Sequence, residues 1–171
     1  MRRYATDRDG ASPRNLYRIR RASSDDIEAL ARLRYEFRSK LAPAIEDEQE
    51  FAARCTTWMA NRLGDGHWHC WVVEDDTGLF GNVWIQLVDK IPAPTGEPEE
   101  HAYLTNFFVR ERARGRGIGS EMMTRVLDWT RERGVHAVFL WPTDRTRGLY
   151  ERHGFCADGD VMQLLFAPRA K

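Results

Sequence analysis

The stretch RARGRGIGSEMM, Arg112–Met123, decides how the rest of the chain is read. Arginines at 112, 114 and 116 interleave with glycines at 115, 117 and 119, and an apolar, helix-periodic run follows at once. Glycines at that spacing lay bare a row of backbone N–H groups. A helix beginning just behind them adds its own unpaired donors and the positive end of its dipole. Such a turn is suited to hold an anion. It is not a dinucleotide fingerprint, which would want glycine where Ser120 stands, nor a nucleotide P-loop, which would want a lysine after its last glycine.

Outward from this turn the chain resolves into alternating elements. The run AYLTNFFV (Ala102–Val109) reads as the strand leading in. The helix leading out presents Ile118, Met122, Val126 and Trp129/Thr130 on one face and closes at Gly134. Val135–Trp141 predicts a fully buried, parallel strand, Arg145–His153 a short helix and Phe155–Phe166 a last apolar strand. Towards the N-terminus, His67–Glu74 and Leu79–Val88 flank the turn DDTG as an antiparallel hairpin. A helix marked by Phe51, Cys55, Met59 and Leu63 precedes it, with the acidic run Glu46–Glu50 at its positive end. Leu16–Ser23 predicts a first strand, and Ser23 paired with Asp26 starts a first helix carrying Ile27, Leu30, Ala31 and Phe37. The fold class expected is α/β: a mixed, mostly antiparallel sheet flanked by helices in the order β–α–α–β–β–β–α–β–α–β.

Composition bounds the rest. At 171 residues, with 42% hydrophobic and 30% charged residues, the chain reads as one globular domain over 16–171, preceded by a polar, flexible extension over 1–15. Zero net charge supplies no long-range attraction to nucleic acid or an anionic membrane, so neither partner is expected. Three cysteines without metal-ligand spacing suit a reducing compartment, and no metal is expected. The N-terminal residues have no apolar core of a secretion signal, and a cytoplasmic location is the expectation.

The strand, the Arg114-x-x-Gly117-x-Gly119 turn and the helix resemble the GNAT superfamily of N-acetyltransferases. A second motif, TDRTRGLYERHGF (Thr143–Phe155), is similar to that family's closing segment, with Thr143 where an Asn is common, then Tyr150 and Gly154-Phe155. The resemblance runs from Leu16 to Phe166. It implies that acetyl-CoA is the co-substrate, that Phe107, Phe108 and Val109 offer backbone groups to its pantetheine arm and acetyl carbonyl, and that Arg114, Gly115, Arg116, Gly117, Ile118, Gly119 and Ser120 wrap the diphosphate. Thr143 stands where a further cofactor contact is common. A homodimer is a further expectation that such a resemblance carries.

The implied reaction is direct attack of a primary amine of a small molecule on the thioester in a ternary complex. An ammonium of pKa ~10.4 must first lose its proton, at a cost of ~4.6 kcal/mol at neutral pH. Tyr150 matches the position of the general acid that protonates the leaving thiolate. No acid stands on the strand before the turn, which offers Thr105 and Asn106. Glu36, His67, His69, His101 or a water held by Thr105 or Asn106 are the alternatives for the base. The acceptor pocket would lie between the end of the first helix, the second helix and the hairpin, near Trp58, Trp68, Trp71 and Trp84, with Glu97, Glu99 and Glu100 drawing a cation to its mouth. A protein or peptide N-acetyltransferase and a non-catalytic acyl-CoA-binding module are the alternative functions. RNA binding through RERARGRG, Arg110–Gly117, is disfavoured by the zero net charge and by the lack of a stacking-aromatic motif beside it.

Overall fold

A computed structural model describes residues 16–157, 162, 164 and 166. Five strands form one sheet in the order β1-β2-β3-β4-β5. They are β1 (Arg18–Arg21), β2 (Trp68–Asp75), β3 (Gly78–Asp89), β4 (Glu100–Val109) and β5 (Ala137–Phe139). The first three pairings are antiparallel and the last is parallel. Four helices flank them: α1 (Ile27–Ser39), α2 (Glu48–Leu63), α3 (Ile118–Arg133) and α4 (Asp144–Arg152).

The expected mixed α/β architecture is what the chain adopts. Strand alternation sends side chains to two cores. On one face Trp71, Val73, Val83, Ile85, Leu87, Ala102 and Leu104 pack under Ile118, Met122, Val126 and Leu127 of α3. On the other, Cys70, Val72 and Trp84 pack under Leu30 and Ala31 of α1 and Cys55 and Met59 of α2. β2 is therefore buried on both sides along its middle. Asp47 caps α2 by accepting from the backbone N–H of Glu50 at 2.8 Å. The start of α1 is pinned by Arg20, whose guanidinium donates to both oxygens of Asp26 and both of Glu74 at 2.7–2.9 Å. That fork ties β1, β2 and the helix entry together.

One expectation is corrected. The strand predicted over Val135–Trp141 is only Ala137–Phe139, with Ala137 exposed and Val138 and Phe139 half-buried. It pairs with β4 over three residues and then parts from it, so it lacks the neighbours that would bury it. Half of the strand predicted over Phe155–Phe166 lies outside the described residues. The N-terminal extension over 1–15 also lies outside them. Among the described residues no helix is long and apolar enough to cross a membrane, and no group of His, Cys, Asp or Glu could hold a metal ion.

Candidate functional site

Two local departures from a regular sheet set apart the second half of β4. The β4–β5 pairing runs through His101↔Ala137, Ala102↔Val138 and Tyr103↔Phe139 and stops, so β4 continues from Leu104 to Val109 with no β5 residue alongside. Within that free length β4 bulges. The register passes from Trp84↔Thr105 to Asn82↔Phe108, which sets Asn106 and Phe107 together opposite Val83. Asn106 takes a left-handed conformation, φ 49°, which asparagine tolerates better than most residues. Asn82, wholly buried, donates from Nδ2 to the Asn106 carbonyl at 3.2 Å, and Arg34 of α1 donates to Asn106 Oδ1 at 3.0 Å. The bulge is thus held from both the neighbouring strand and the covering helix.

The extra residue changes which face each side chain meets. Ala102 and Leu104 pack on the α3 side, and so do Phe107 and Val109. Phe108 instead stacks on Phe37 of α1, with centroids 5.1 Å apart. The rings of both phenylalanines are packing groups, which leaves their backbone as what this stretch can offer a ligand.

The glycine turn follows β4 directly, after a single turn at Glu111–Ala113. Gly115 and Gly117 have φ of 73° and 80°, and a Cβ on either would meet open space. Their requirement for glycine comes from the backbone turn and not from crowding. No side chain caps α3, so the first-turn N–H groups of Ile118, Gly119 and Ser120 remain for a ligand or water. A Cβ at Gly119 would lie 3.8 Å from Phe107 and from Leu149, which fixes the helix start against β4 on one side and α4 on the other.

The three arginines of the turn differ. Arg112 reaches Asp75 and Thr77 of the β2–β3 turn at 3.5 and 3.0 Å. Arg114 donates through Nε to the Val109 carbonyl at 2.8 Å and pairs with Glu111. Arg116 is exposed and has no acidic partner among the described residues, so it alone is free to meet an anion. Ser120 Oγ lies 2.7 Å from His153 Nε2, a contact the sequence did not suggest. Burial, helped by Arg152 and Arg131, pushes the His153 pKa down.

Thr143 stands at the N-terminus of α4 and is spent there: its N–H donates to Thr146 Oγ1 at 3.0 Å, and the two hydroxyls are 2.9 Å apart. Tyr150 is 7% exposed, packs in the α3-side core and meets Phe155 edge-on at 5.7 Å. Burial pushes its phenol up to about 12, against an opposing hydrogen bond with Thr146. A phenol with that pKa is protonated at neutral pH.

None of the four side chains considered as a base stands free at the bulge. Glu36 accepts from Arg110 Nε at 2.8 Å and from Lys40 at 3.2 Å, and its pKa lies below the usual carboxylate range although burial opposes the shift. His69 is on the opposite face, edge-on to Trp129 at 4.5 Å, and burial with Arg21 and Arg133 nearby pushes it down to about 4. His101 sits at the other end of β4 among His136 and Phe139. His67 precedes β2 at the α2 end of the sheet.

On the acceptor side, Trp58, Trp68 and Trp84 form one cluster with centroids 4.9–6.2 Å apart. Trp58 and Trp68 also line an open 470 Å³ cavity with Asp65, His67 and Gln86. Trp71 does not join them, because alternation turns it to the α3 face against Trp129. In the acidic loop Glu97 pairs with Lys90 and lies 3.4 Å from His136, and Glu100 pairs with Arg133 of α3. Sequence reasoning missed Asn82, Arg34, Arg110 and His153. A legible signal existed only for the bulge: on β4 the apolar residues facing α3 are spaced two apart at Ala102 and Leu104, then three apart to Phe107.

This architecture has relatives. The family model described as the acetyltransferase (GNAT) family matches residues 27–155. Among curated proteins, an uncharacterized N-acetyltransferase of Methanocaldococcus jannaschii is 26% identical over 144 residues, 81% of this chain and 60% of that protein. A mycothiol acetyltransferase of Beutenbergia cavernae is 38% identical over 90 residues, 50% of this chain and 27% of that protein. The chain thus spans less than two thirds of the length of both. Among solved structures, a predicted acetyltransferase from Clostridium acetobutylicum, crystallised with acetyl-CoA, shares the fold at a TM-score of 0.73 and 24% identity, covering 87% of this chain and 96% of that one.

Proposed function

The chain belongs to the acetyltransferase (GNAT) family, and from that premise we propose that it moves an acetyl group from acetyl-CoA to a primary amine of a small molecule. The observation that carries this reading is the juxtaposition of an uncapped α3 N-terminus, entered through Gly115 and Gly117, with the length of β4 that β5 leaves unpaired. The donors of a helix start suit a diphosphate, and Arg116 is free to add a cation. A strand edge suits the amide-bearing pantetheine arm, with the acetyl carbonyl accepting from a backbone N–H of the Phe107–Val109 segment.

In this proposal the neutral amine attacks the thioester carbon in a ternary complex. The C–N bond forms, the C–S bond breaks, the thiolate takes its proton from Tyr150, and the proton that the nitrogen sheds as the amide forms returns through water to the Tyr150 phenolate. The ammonium proton leaves beforehand through water held at Thr105 and Asn106, since Glu36 is committed to Arg110 and Lys40. That commitment favours one other reading, an acyl-CoA-binding module without turnover.

Calorimetric titration with acetyl-CoA, together with thiol release in the presence of an amine panel, tests the proposal. Micromolar binding that is lost in Gly117→Asp/Gly119→Asp, with at least one amine accelerating thiol release, is the expected result. Binding without release selects the binding module. Acetyl label ending in protein substrates selects peptide acetylation, and no binding refutes all three.

A further inference from the structure

One charge beside the bulge is unbalanced. Arg34 is half-buried on α1, and its one hydrogen bond among the described residues runs from Nη1 to Asn106 Oδ1 at 3.0 Å. A guanidinium carries five N–H donors, so most of the fork is unspent. No carboxylate among the described residues reaches it, and burial, reinforced by Arg38, pushes its pKa down, as expected of a cation without a counter-charge. Arg38 stands one turn further on the same helix, exposed and likewise without an acidic partner. Like charges at that spacing repel. Glu36, which lies between them in sequence, turns to Arg110 and Lys40.

A partly desolvated, unpaired cation costs stability, and stability alone would replace it or pair it. Arg34 and Arg38 are thus two cations on the helix that covers the bulge, with no carboxylate partner among the described residues. The surface next to it is aromatic. Tyr103, on the α1 side of β4, lies 5.4 Å from Phe139 and 4.9 Å from Trp141, which is 48% exposed.

We propose that Arg34, seconded by Arg38, binds an anionic group of the acceptor, and that the acceptor is an amine bearing a carboxylate beside an apolar or aromatic body. This rests on the transferase reading. The planar fork of arginine matches a carboxylate in two parallel hydrogen bonds. Held there, the carboxylate lies next to Asn106, and an amine a bond or two away is brought to the bulge, where the acetyl carbonyl is placed. The aromatic group of Tyr103, Phe139 and Trp141 receives the rest of the molecule.

The test uses amine pairs that differ in one anionic group: phenylalanine with phenethylamine, lysine with cadaverine, and O-phosphoethanolamine with ethanolamine. Thiol release from acetyl-CoA is measured for the parent, Arg34→Gln and Arg34→Lys. Binding of phenylalanine to the CoA-loaded protein is followed in parallel by tryptophan fluorescence. The parent is expected to favour the carboxylate member by about tenfold or more in kcat/KM, through KM. Arg34→Gln is expected to erase that preference and Arg34→Lys to restore part of it, read as the ratio of kcat/KM between the two members of each pair. Equal losses for both members of each pair would make Arg34 a prop for the bulge and overturn the proposal. So would an absence of preference, and a preference confined to O-phosphoethanolamine would replace the carboxylate by a phosphate. If no amine releases thiol while phenylalanine still binds and Arg34→Gln abolishes that binding, the anion site stands and the transferase reading falls. Neither release nor Arg34-dependent binding refutes both.

Discussion

Replacing Gly81 by alanine adds one methyl group at the closest approach of β3 to β4. A Cβ there would stand 2.8 Å from Val73 Cγ1, 2.9 Å from the Phe108 carbonyl oxygen and 3.1 Å from Val109 Cγ2. The valine methyls can rotate aside, but the carbonyl belongs to the backbone. Ordinary contact begins near 3.4 Å, so the Phe108 carbonyl must recede by 3.4 − 2.9, about 0.5 Å. Overpacking of this kind costs roughly 1–3 kcal/mol, which for a chain of this length lowers Tm by about 4–8 °C at the midpoint of that range. The recoil falls on the backbone next to the bulge, where a misplacement of this order slows a positioned reaction by about tenfold. Urea unfolding and thiol release on the same preparation measure both effects. Gly64→Ala, whose Cβ would meet nothing within 4 Å, is the control. A Gly81→Ala protein that unfolds within ~0.5 kcal/mol of the parent and releases thiol at the parental rate would refute the close approach and its link to the site.

Two further outcomes are expected. Tyr150→Phe should lower kcat by about a hundredfold with acetyl-CoA affinity within about twofold, and the parent rate should hold on the alkaline side, since burial pushes this phenol up to about 12. A kcat–pH series on both proteins decides it, and a loss of less than about threefold would return Tyr150 to a packing role. His69 is pushed down to about 4 in the folded chain, against ~6.5 unfolded, so the unfolded state binds more protons between those values. Its neutral form costs nothing above pH ~6.5, and stability then falls as acidity carries the pH down to about 4, where the loss is complete. Allowing for solvent screening of a partly exposed ring, the loss is about 1–2 kcal/mol. Urea midpoints at two pH values should fall less in His69→Gln than in the parent, and equal falls would refute the assignment.

The parts of the fold governed by local chemistry were legible from residues alone. The four-residue period through Phe51, Cys55, Met59 and Leu63 matches α2, and Ser23 with Asp26 marks the entry to α1. The glycine turn was legible because a left-handed backbone leaves few other choices. What escaped was decided across the sheet. The bulge at Asn106 depends on the register of β4 against β3, and only a three-residue step in the apolar pattern betrays it. Val135–Trp141 looks like a buried strand because its residues are apolar, while its pairing ends where β4 turns away. Charge was the least legible property. Glu36 lies two residues from both Arg34 and Arg38, yet a helix turns positions two apart to different sides, and the glutamate finds Arg110 instead.

The short β4–β5 pairing has a consequence for how this protein coexists with its own copies. An unpaired strand edge is a template for any other chain, and proteins usually blunt it at the surface with charge, proline or a bulge. Here the edge from Leu104 to Val109 begins where the Tyr103↔Phe139 pair ends, and among the described residues no strand continues alongside it. The strand is bulged at Asn106, whose backbone is left-handed, and it leads into a turn carrying Arg112, Arg114 and Arg116. A flat β-strand from a neighbour therefore meets the wrong register within six residues. The bulge that re-aims the side chains of this stretch is also one of the devices that discourage edge-to-edge pairing.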